Sequence, residues 1–365
     1  MLTCFDISAS TGSYGVRIEP QSLASLLAEA GDRVFIVDAF LEAQVRAAGI
    51  DPIVIVADEP AKSLDRMTDL IVGLRERRAT RATTLIAVGG GIVQDIAAFT
   101  ASIYMRGIDW IYVPTSLLSM VDSCIGGKSS INVGPYKNLV GTFHPPVQVL
   151  IDPVLTGTLN AEQHAAGLIE AAKICFCRGP AAFSYYAGLE SSARADVETL
   201  ATLIYHSLLS KKWFIEIDEF DSGERLRLNF GHTFGHAIET ASDFAVSHGI
   251  AVGLGMLIAL DLGETLGREY GSVENVARLR AHILELVNLV PGLPAALRNT
   301  AMPRLMEAFR SDKKHNRQNY AVIVVTEAGN VERLMLPRDA ASDTIIEHAF
   351  REALESWQGR CAAAA

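Results

Sequence analysis

Residues 84–99 read TLIAVGGGIVQDIAAF. A short apolar run ends on three glycines, and apolar residues at helical spacing follow it. Glycines at such a junction let the backbone approach a pyrophosphate, whose charge is met by free N–H groups and by the positive end of the helix. The spacing differs from GxGxxG, so a nucleotide-binding turn and a plain tight turn both remain open. In either case the stretch predicts a strand, a tight turn and a helix.

The same alternation extends to both sides of this stretch. Apolar, β-rich runs lie at 34–37, 53–56, 84–88 and 110–113, and amphipathic helical patterns lie at 40–48 and 63–78. Strands that alternate with helices predict a parallel sheet covered on both faces, with ligands at the carboxyl ends of the strands. Asp38 follows the first run and could accept hydrogen bonds from a ribose hydroxyl, although a helix N-cap is the other interpretation.

The pattern changes to long helical segments after about residue 160. They lie at 161–172, 195–217, 235–244, 250–266 and 273–289, and a β-hairpin at 320–325 and 331–336 follows them. A length of 365 residues also favours two domains. We therefore predict a nucleotide-binding, Rossmann-like α/β domain at 1–155 and a mostly α-helical domain with the metal and substrate sites at 156–365.

Composition excludes several classes of partner. A net charge of −10 argues against nucleic acid or an anionic membrane surface, because both need a basic footprint. The apolar stretch 249–260 is too short to span a bilayer, and the first residues lack the pattern of a secretory signal. Five scattered cysteines fit reduced thiols. We expect a soluble, cytoplasmic protein that binds a small molecule.

Two histidines, His232 and His236, stand four residues apart, a spacing that places them on one helix face and is used for divalent metals. His248 and Glu170 are further candidates, since a catalytic zinc uses three protein ligands and one open position. Taken singly, each of these side chains also fits a purely structural role. The residues alone therefore leave a metal site and a structural cluster open.

Basic residues beside Gly, Asn or Ser form another group. They are Arg106, Lys128, Lys137, the pair Lys211-Lys212, Arg225 and the pair Lys313-Lys314. Lys128 follows two glycines, and tight backbone of this kind is a common way to present a cation to phosphate. Any one of these residues fits a surface charge, but the set in an acidic protein predicts a pocket for an anionic substrate.

In order and spacing, these motifs resemble those of the dehydroquinate synthase family of sugar phosphate cyclases from about residue 34 to 325. The matching motifs are Gly89-Gly90-Gly91 with Asp95, Tyr104-Met-Arg106-Gly107, Val113-Pro-Thr115-Ser116, Val121-Asp122-Ser123, Gly126-Gly127-Lys128, Lys137-Asn138, Glu170-Ala-Ala-Lys173, Asn229-Phe-Gly-His232-Thr-Phe-Gly-His236, His248-Gly249 and Asp312-Lys313-Lys314. The resemblance implies the dehydroquinate synthase-like fold, NAD, a divalent metal (zinc or cobalt) and a homodimer.

The resemblance also implies a role for each matching residue. It assigns the metal to Glu170, His232 and His248 and turns His236 towards the substrate, which replaces the expectation that both paired histidines are ligands. NAD is implied to contact Asp38, Glu59, Lys62, Gly90, Gly91, Asp95, Thr115, Ser116, Asp122, Lys128, Lys137, Thr158 and Leu159. The implied phosphate contacts are Lys128, Asn138, Asn229, one of Lys313 and Lys314, and Arg106 from a second subunit. Lys211 and Arg225 are implied to clamp a carboxylate, and Lys173 and Asp122 to hold hydroxyls.

The implied reaction begins when NAD removes hydride from a ring hydroxyl that the metal polarises. Phosphate is then eliminated, hydride returns, the ring opens and an intramolecular aldol step closes a carbocycle. The two cations of the carboxylate clamp favour 3-deoxy-arabino-heptulosonate 7-phosphate, a keto acid phosphate of the shikimate pathway. Ile250 departs from the pattern, because the synthases usually carry Glu there.

Three alternatives remain open. One is a related cyclase of secondary metabolism that acts on sedoheptulose 7-phosphate or glucose 6-phosphate. Another is a metal-dependent polyol dehydrogenase, which would release NADH and would need fewer phosphate-binding cations. The third, an inactive binding protein, is disfavoured because every implied metal ligand is present.

Overall fold

A computed structural model describes residues 2–134, 136–193, 196–271, 273–298 and 300–363. Three residues that bound predicted ranges, Met1, Ala195 and Ala365, lie outside these residues. The chain forms two compact units. Unit 1 is the chain up to Leu159 together with Ser192–Phe220, and unit 2 is Asn160–Ser191 together with the chain from Asp221 onward.

The strands follow the predicted alternation. They are β1 Thr3–Ile7, β2 Tyr14–Ile18, β3 Arg33–Asp38, β4 Ile53–Ile55, β5 Thr84–Gly89, β6 Trp110–Pro114, β7 Ile131–Val133, β8 Tyr136–Val140, β9 Gln148–Ile151, β10 Asn319–Val325 and β11 Val331–Pro337. Each of the four predicted runs of the first half is a strand, and the predicted hairpin is β10 with β11. The short strands β1, β2, β7, β8 and β9 were not predicted.

The helices are α1 Ser22–Ala28, α2 Glu42–Ala47, α3 Met67–Glu76, α4 Gly91–Ile103, α5 Ala161–Arg178, α6 Pro180–Ala193, α7 Val197–Ile217, α8 His232–Ala241, α9 His248–Thr265, α10 Glu274–Asn288, α11 Leu293–Arg298, α12 Met302–Arg310 and α13 Ala340–Ala363. All five long helices predicted after residue 160 are present, with ends shifted by a few residues. Helices α1, α6, α11, α12 and α13 were not predicted.

Unit 1 is built on a seven-stranded sheet of order β1-β2-β9-β6-β5-β3-β4. Only the pair β1–β2 is antiparallel, and the other neighbours in this sheet run parallel. Phe35, Val37, Ile86 and Val88 pack with apolar residues of α1 and α2 on one face. Helices α3 and α4 bury a second apolar cluster. Burial on both faces explains why the central strands are continuously apolar.

Helix α7 belongs to unit 1 by its contacts, although the sequence placed it in the second domain. It packs against β1 and against residues 119–123, a turn of π-helix. Ser207 donates a hydrogen bond to the Val121 carbonyl at 3.1 Å. The predicted division at 155 therefore differs from the compact units, because a segment distant in sequence returns to the first one.

Unit 2 is helical around α9, in which a continuous run from Gly249 to Leu260 is buried. Glycines bring its neighbours close. A Cβ placed on Gly255 would lie 2.0 Å from the Gly231 carbonyl oxygen beside α8, and one on Gly249 would lie 2.6 Å from the Ala166 Cβ of α5. The helices α5, α8 and α9 thus pack backbone to backbone where these glycines occur.

Among the described residues, no helix is both long enough and apolar enough to cross a bilayer. Among the cysteines whose side chains the structure describes, Cys4, Cys124, Cys175 and Cys177 are free thiols.

Candidate functional site

The residues expected to contact NAD in unit 1 lie after neighbouring parallel strands. Asp38 ends β3, Gly90 and Gly91 follow β5, and Thr115 and Ser116 follow β6. Glu59 and Lys62 come after β4, and Thr158 and Leu159 come after β9. Because the order is β9-β6-β5-β3-β4, these residues share the carboxyl edge of one sheet, where ligands of such sheets bind.

The glycine turn between β5 and α4 is compact. Helix α4 begins at Gly91, and its N-terminal N–H groups have no partners within the helix. A Cβ at Gly89 would lie 2.6 Å from the Val93 side chain, and one at Gly90 would lie 3.6 Å from Ser116 Oγ. The turn therefore brings main chain, the helix N-terminus and a serine hydroxyl together, an arrangement suited to a pyrophosphate.

A charged cluster lies beside this edge. Lys62 Nζ is 2.6 Å from the Asp95 carboxylate, and Lys137 Nζ is 3.3 Å from Glu59. Asn132 donates to Glu59 at 2.8 Å. Burial raises the pKa of Asp95 to about 6, although Lys62 opposes the shift. Four of the residues expected to contact NAD therefore form two ion pairs.

The position of Asp38 fits both of its interpretations, the helix N-cap and the ribose contact. Its carboxylate accepts from the Phe40 N–H at 3.5 Å, so it caps the turn that precedes α2. Burial raises its pKa above the usual value. Its position at the end of β3 is also the position required for a ribose contact.

Asp122 and Lys211 form a buried ion pair within unit 1. Lys211 Nζ is 2.5 Å from the Asp122 carboxylate, and it also donates to the main-chain oxygens of Asp122 at 2.5 Å and Ile125 at 3.2 Å. These contacts hold the π-helical turn against α7. Lys211 was expected to clamp a carboxylate, and here the carboxylate beside it is that of Asp122.

Three residues of the expected phosphate pocket also lie in unit 1. Lys128 Nζ lies 6.0 Å from the centre of the Phe143 ring. Asn138 donates its N–H to Asn132 at 2.8 Å. Arg106 is exposed and left-handed (φ 72°), next to left-handed Met105 (φ 49°). Two such residues cost about 1–2 kcal/mol each, so the fold holds this arginine in a strained turn.

The three expected metal ligands converge in unit 2. Glu170 lies on α5, His232 begins α8 and His248 begins α9. Their ligand atoms lie within 4.8 Å of one another. Nε2 of His248 is 3.6 Å and Nε2 of His232 is 4.0 Å from Glu170 Oε1. The close packing of α5, α8 and α9 produces this convergence.

Hydrogen bonds set the tautomers of the two candidate ligand histidines. His232 Nδ1 is 3.3 Å from the Phe230 carbonyl oxygen, and His248 Nδ1 is 3.1 Å from the Glu239 carboxylate. Both acceptors require Nδ1 to carry the proton. In its neutral form each ring therefore presents an Nε2 lone pair on the side of Glu170, as metal ligation requires.

Burial and the surrounding charges shift the pKa values of His232 and His248 in opposite directions. Burial, with help from nearby Lys173, lowers the pKa of His232 well below its usual value, so this imidazole is neutral. Burial also acts to lower the pKa of His248, but Glu239 and Glu170 outweigh it and raise the pKa. Lys173 Nζ is 2.5 Å from Glu170, which is almost fully buried. Two imidazoles and one carboxylate form a donor set typical of zinc and accepted by cobalt.

His236 stands beside this group. Its Nδ1 is 3.2 Å from the Asp312 carboxylate and 3.2 Å from Lys314 Nζ. It also belongs to a second set of possible ligands, with Glu239 and His248. Lys313 is exposed whereas Lys314 is half-buried beside His236, so Lys314 is the lysine of the pair that reaches the histidines.

The remaining expected residues of unit 2 are Arg225, which is buried, and Asn229, whose amide donates to the Leu226 carbonyl at 3.0 Å. Sequence reasoning missed two carboxylates, Glu239 and Asp312, as functional groups. Glu239 follows His232 by seven residues, two helical turns, and this spacing could have indicated it. Asp312 stood inside a recognised motif but received no role.

One unit is an α/β sheet with a glycine turn at its carboxyl edge, and the other is helical with a histidine–carboxylate group. This is the arrangement expected of an enzyme that has a nucleotide site and a metal site. The family models described as 3-dehydroquinate synthase N-terminal and C-terminal match residues 52–166 and 167–315. A 3-dehydroquinate synthase of Xanthomonas oryzae pv. oryzae is 40% identical over 274 residues, which are 73% of this chain and 72% of that protein. The chain belongs to the 3-dehydroquinate synthase family.

Solved structures show the same fold. A 2-deoxy-scyllo-inosose synthase complexed with carbaglucose-6-phosphate, NAD+ and Co2+ superposes with a TM-score of 0.82 at 21% identity, covering 96% of this chain and 100% of that one. A 2-epi-5-epi-valiolone synthase from Streptomyces hygroscopicus subsp. jinggangensis 5008, with NAD+ and Zn2+ bound, has a TM-score of 0.80 at 24% identity, covering 96% and 99%. The predicted dehydroquinate synthase-like fold is confirmed.

Proposed function

We propose that this protein is an NAD- and metal-dependent lyase that eliminates phosphate from 3-deoxy-arabino-heptulosonate 7-phosphate and closes it to the carbocycle 3-dehydroquinate. The observation that carries the proposal is the convergence of Glu170, His232 and His248 in a chain of this family. The names of its relatives support the substrate. With that substrate the protein acts in the shikimate pathway.

The donor set of unit 2 fits a divalent metal. The imidazole of His232 is neutral, so it is ready to ligate without losing a proton, and the buried carboxyl group of Glu170 lies beside it. A metal bound there would act as a Lewis acid that lowers the pKa of a substrate hydroxyl, and NAD bound to unit 1 would take up and return hydride. Zinc and cobalt, found in the two solved relatives, are the proposed metals.

The chain's own residues then position groups and move protons. Lys173 lies against Glu170 and can donate to a hydroxyl beside the metal position. His236, held between Asp312 and Lys314, can accept or donate a proton. Lys314 supplies positive charge for the phosphate, together with Lys128, Asn138 and Asn229. A second subunit would supply Arg106, so we propose a homodimer.

The candidate substrates differ at the end opposite the phosphate, which is a carboxylate in the keto acid phosphate and neutral in the sugar phosphates. Arg225 is the buried cation of unit 2 that we assign to the carboxylate, and Lys211 is its expected partner. The alternative is a related cyclase that acts on a sugar phosphate with a neutral end, such as sedoheptulose 7-phosphate or glucose 6-phosphate. The complex of the inosose synthase relative with carbaglucose-6-phosphate favours this second candidate.

The proposal is tested by phosphate release from the three substrates under identical conditions, with NAD and zinc or cobalt present. We expect release from the keto acid phosphate to be fastest, and the product to be a carbocycle. Faster release from sedoheptulose 7-phosphate or glucose 6-phosphate would transfer the assignment to the alternative.

A further inference from the structure

Two glutamates of unit 2 lie about two turns from the candidate metal ligands on the same helices. Glu162 and Glu170 both lie on α5, eight residues apart, and His232 and Glu239 both lie on α8, seven residues apart. Each of the two helices thus carries one candidate ligand and one further carboxylate. Both further carboxylates contact the start of α9.

The contacts at the start of α9 are specific. His248, the first residue of α9, donates its Nδ1 proton to Glu239 at 3.1 Å. Ser247, the N-cap of α9, donates its hydroxyl proton to Glu162 at 2.6 Å. The Ser247 hydroxyl and the His248 imidazole at this helix start are therefore held by carboxylates from two different helices.

The first turn of α9 has an apolar interior side. Ile250 is fully buried and lines a cavity of about 310 Å³ together with Glu162, Val246 and Leu293. Ile250 offers the His248 ring no hydrogen-bonding group, whereas Glu239 of α8 accepts from its Nδ1 at 3.1 Å.

We propose that Glu239 is a positioning residue for the metal, which fixes the His248 ring with its Nε2 lone pair on the metal side, and that Glu162 supports it by fixing Ser247. The inference rests on the proposed function to the extent that Glu170, His232 and His248 bind the metal. A carboxylate on the far nitrogen of an imidazole fixes the tautomer and makes the other nitrogen a stronger donor. Loss of such a partner typically weakens metal binding about 10- to 100-fold.

The test measures the affinity of metal-free protein for zinc by competition with a chromophoric chelator, and the visible absorption of the cobalt-loaded protein. The variants are Glu239→Ala, Glu239→Gln and Glu162→Gln. The matched control is Glu352→Gln, on the exposed face of α13. We expect Glu239→Ala to weaken zinc binding about 10- to 100-fold and to change the cobalt absorption bands.

Glu239→Gln should lose less affinity than Glu239→Ala, because an amide oxygen still accepts the Nδ1 proton but lacks the charge. Glu162→Gln should have a smaller effect, and the control should have none. Thermal unfolding of the metal-free proteins shows which variants fold. If Glu239→Ala does not fold, the zinc affinity and the cobalt spectrum of Glu239→Gln test the positioning role of Glu239.

His232→Ala separates this inference from the proposed function. If His232→Ala loses zinc while the Glu239 variants bind it like the wild type with unchanged cobalt spectra, the positioning role is wrong and the metal site stands. If His232→Ala also binds zinc like the wild type, the metal assignment itself is wrong.

Discussion

His236 and Asp312 are 76 positions apart in the sequence, yet the imidazole Nδ1 lies 3.2 Å from the carboxylate of Asp312. Lys314 Nζ is 3.1 Å from the same carboxylate. The three side chains form one network beside the candidate metal ligands. Because the carboxylate balances the charge of the lysine and orients the imidazole, it is the central member of this network.

Replacement of Asp312 should change the response of the protein to acid. Burial favours the neutral acid, but His236 and Lys314 outweigh it and hold the pKa of Asp312 well below its usual value. A lowered folded-state pKa stabilises the fold above the unfolded-state pKa of about 3.9, and this contribution is lost as the pH falls through the folded-state pKa.

Asp312→Asn should therefore be less stable than the wild type near neutral pH, and the difference should shrink as the pH is lowered below about 4. Denaturant unfolding of metal-free protein between about pH 3 and pH 7 measures it. Asp69→Asn, at an exposed position of α3, is the control. An equal loss of stability at every pH would show that the network does not hold the charge of Asp312.

Replacement of His232 and replacement of His236 should have different effects on the metal content of the protein. His232→Ala removes one of three ligands and should lose most of the bound zinc or cobalt. His236→Ala should retain the metal and lose activity, because its ring contacts Asp312 and Lys314. Metal analysis of the purified variants measures the difference. Full metal content in His232→Ala contradicts the ligand assignment.

Gly255→Ala should disturb the metal site indirectly, through the packing of α8 against α9. The added Cβ would lie 2.0 Å from the Gly231 carbonyl oxygen, so α8 and α9 must separate. Overpacking of this kind lowers the free energy of unfolding by about 1–3 kcal/mol or more. It should also reduce zinc affinity, because it moves His232 away from His248. Gly188→Ala in α6 is the control, because its Cβ would meet no atom within 4 Å. Denaturant unfolding and zinc binding check both effects, and a stable Gly255→Ala variant would contradict the close packing.

Arg225 and Lys128 should act on opposite ends of the substrate. Loss of a charge-assisted hydrogen bond costs about 1.5–3 kcal/mol, which is roughly a tenfold to hundredfold loss in kcat/KM. Arg225→Ala should lose that much with the keto acid phosphate and should bind inorganic phosphate nearly as the wild type does. Lys128→Ala should weaken phosphate binding instead. Equal effects of Arg225→Ala on the keto acid phosphate and on sedoheptulose 7-phosphate would contradict the carboxylate assignment.

Much of the fold could be predicted because its central strands are buried on both faces. Residues 34–37 and 85–88 form unbroken apolar runs for that reason, and the glycine turn after Val88 is a local signal. Strands β1 and β2 are five residues long, and β9 is four residues long and follows two prolines. Strands β1 (TCFDI) and β2 (YGVRI) mix polar with apolar residues, so they lack the unbroken apolar run that marks the central strands.

The site was predictable where its residues stand in dense motifs. His232 and His236 are four apart, and their helical spacing is visible in the sequence. The contact of Glu162 with Ser247 joins residues 85 positions apart, and the return of α7 to unit 1 is likewise a tertiary effect. Pattern along the chain does not encode such distant contacts.

The central claim is that hydride is taken up and returned within one turnover. The measurement that tests it most directly is phosphate release from 3-deoxy-arabino-heptulosonate 7-phosphate with NAD supplied below the concentration of substrate, while NADH absorbance is followed in the same sample. We predict that phosphate release continues for many turnovers per NAD without net accumulation of NADH. Accumulation of NADH in proportion to product would contradict the cyclase mechanism and indicate a dehydrogenase.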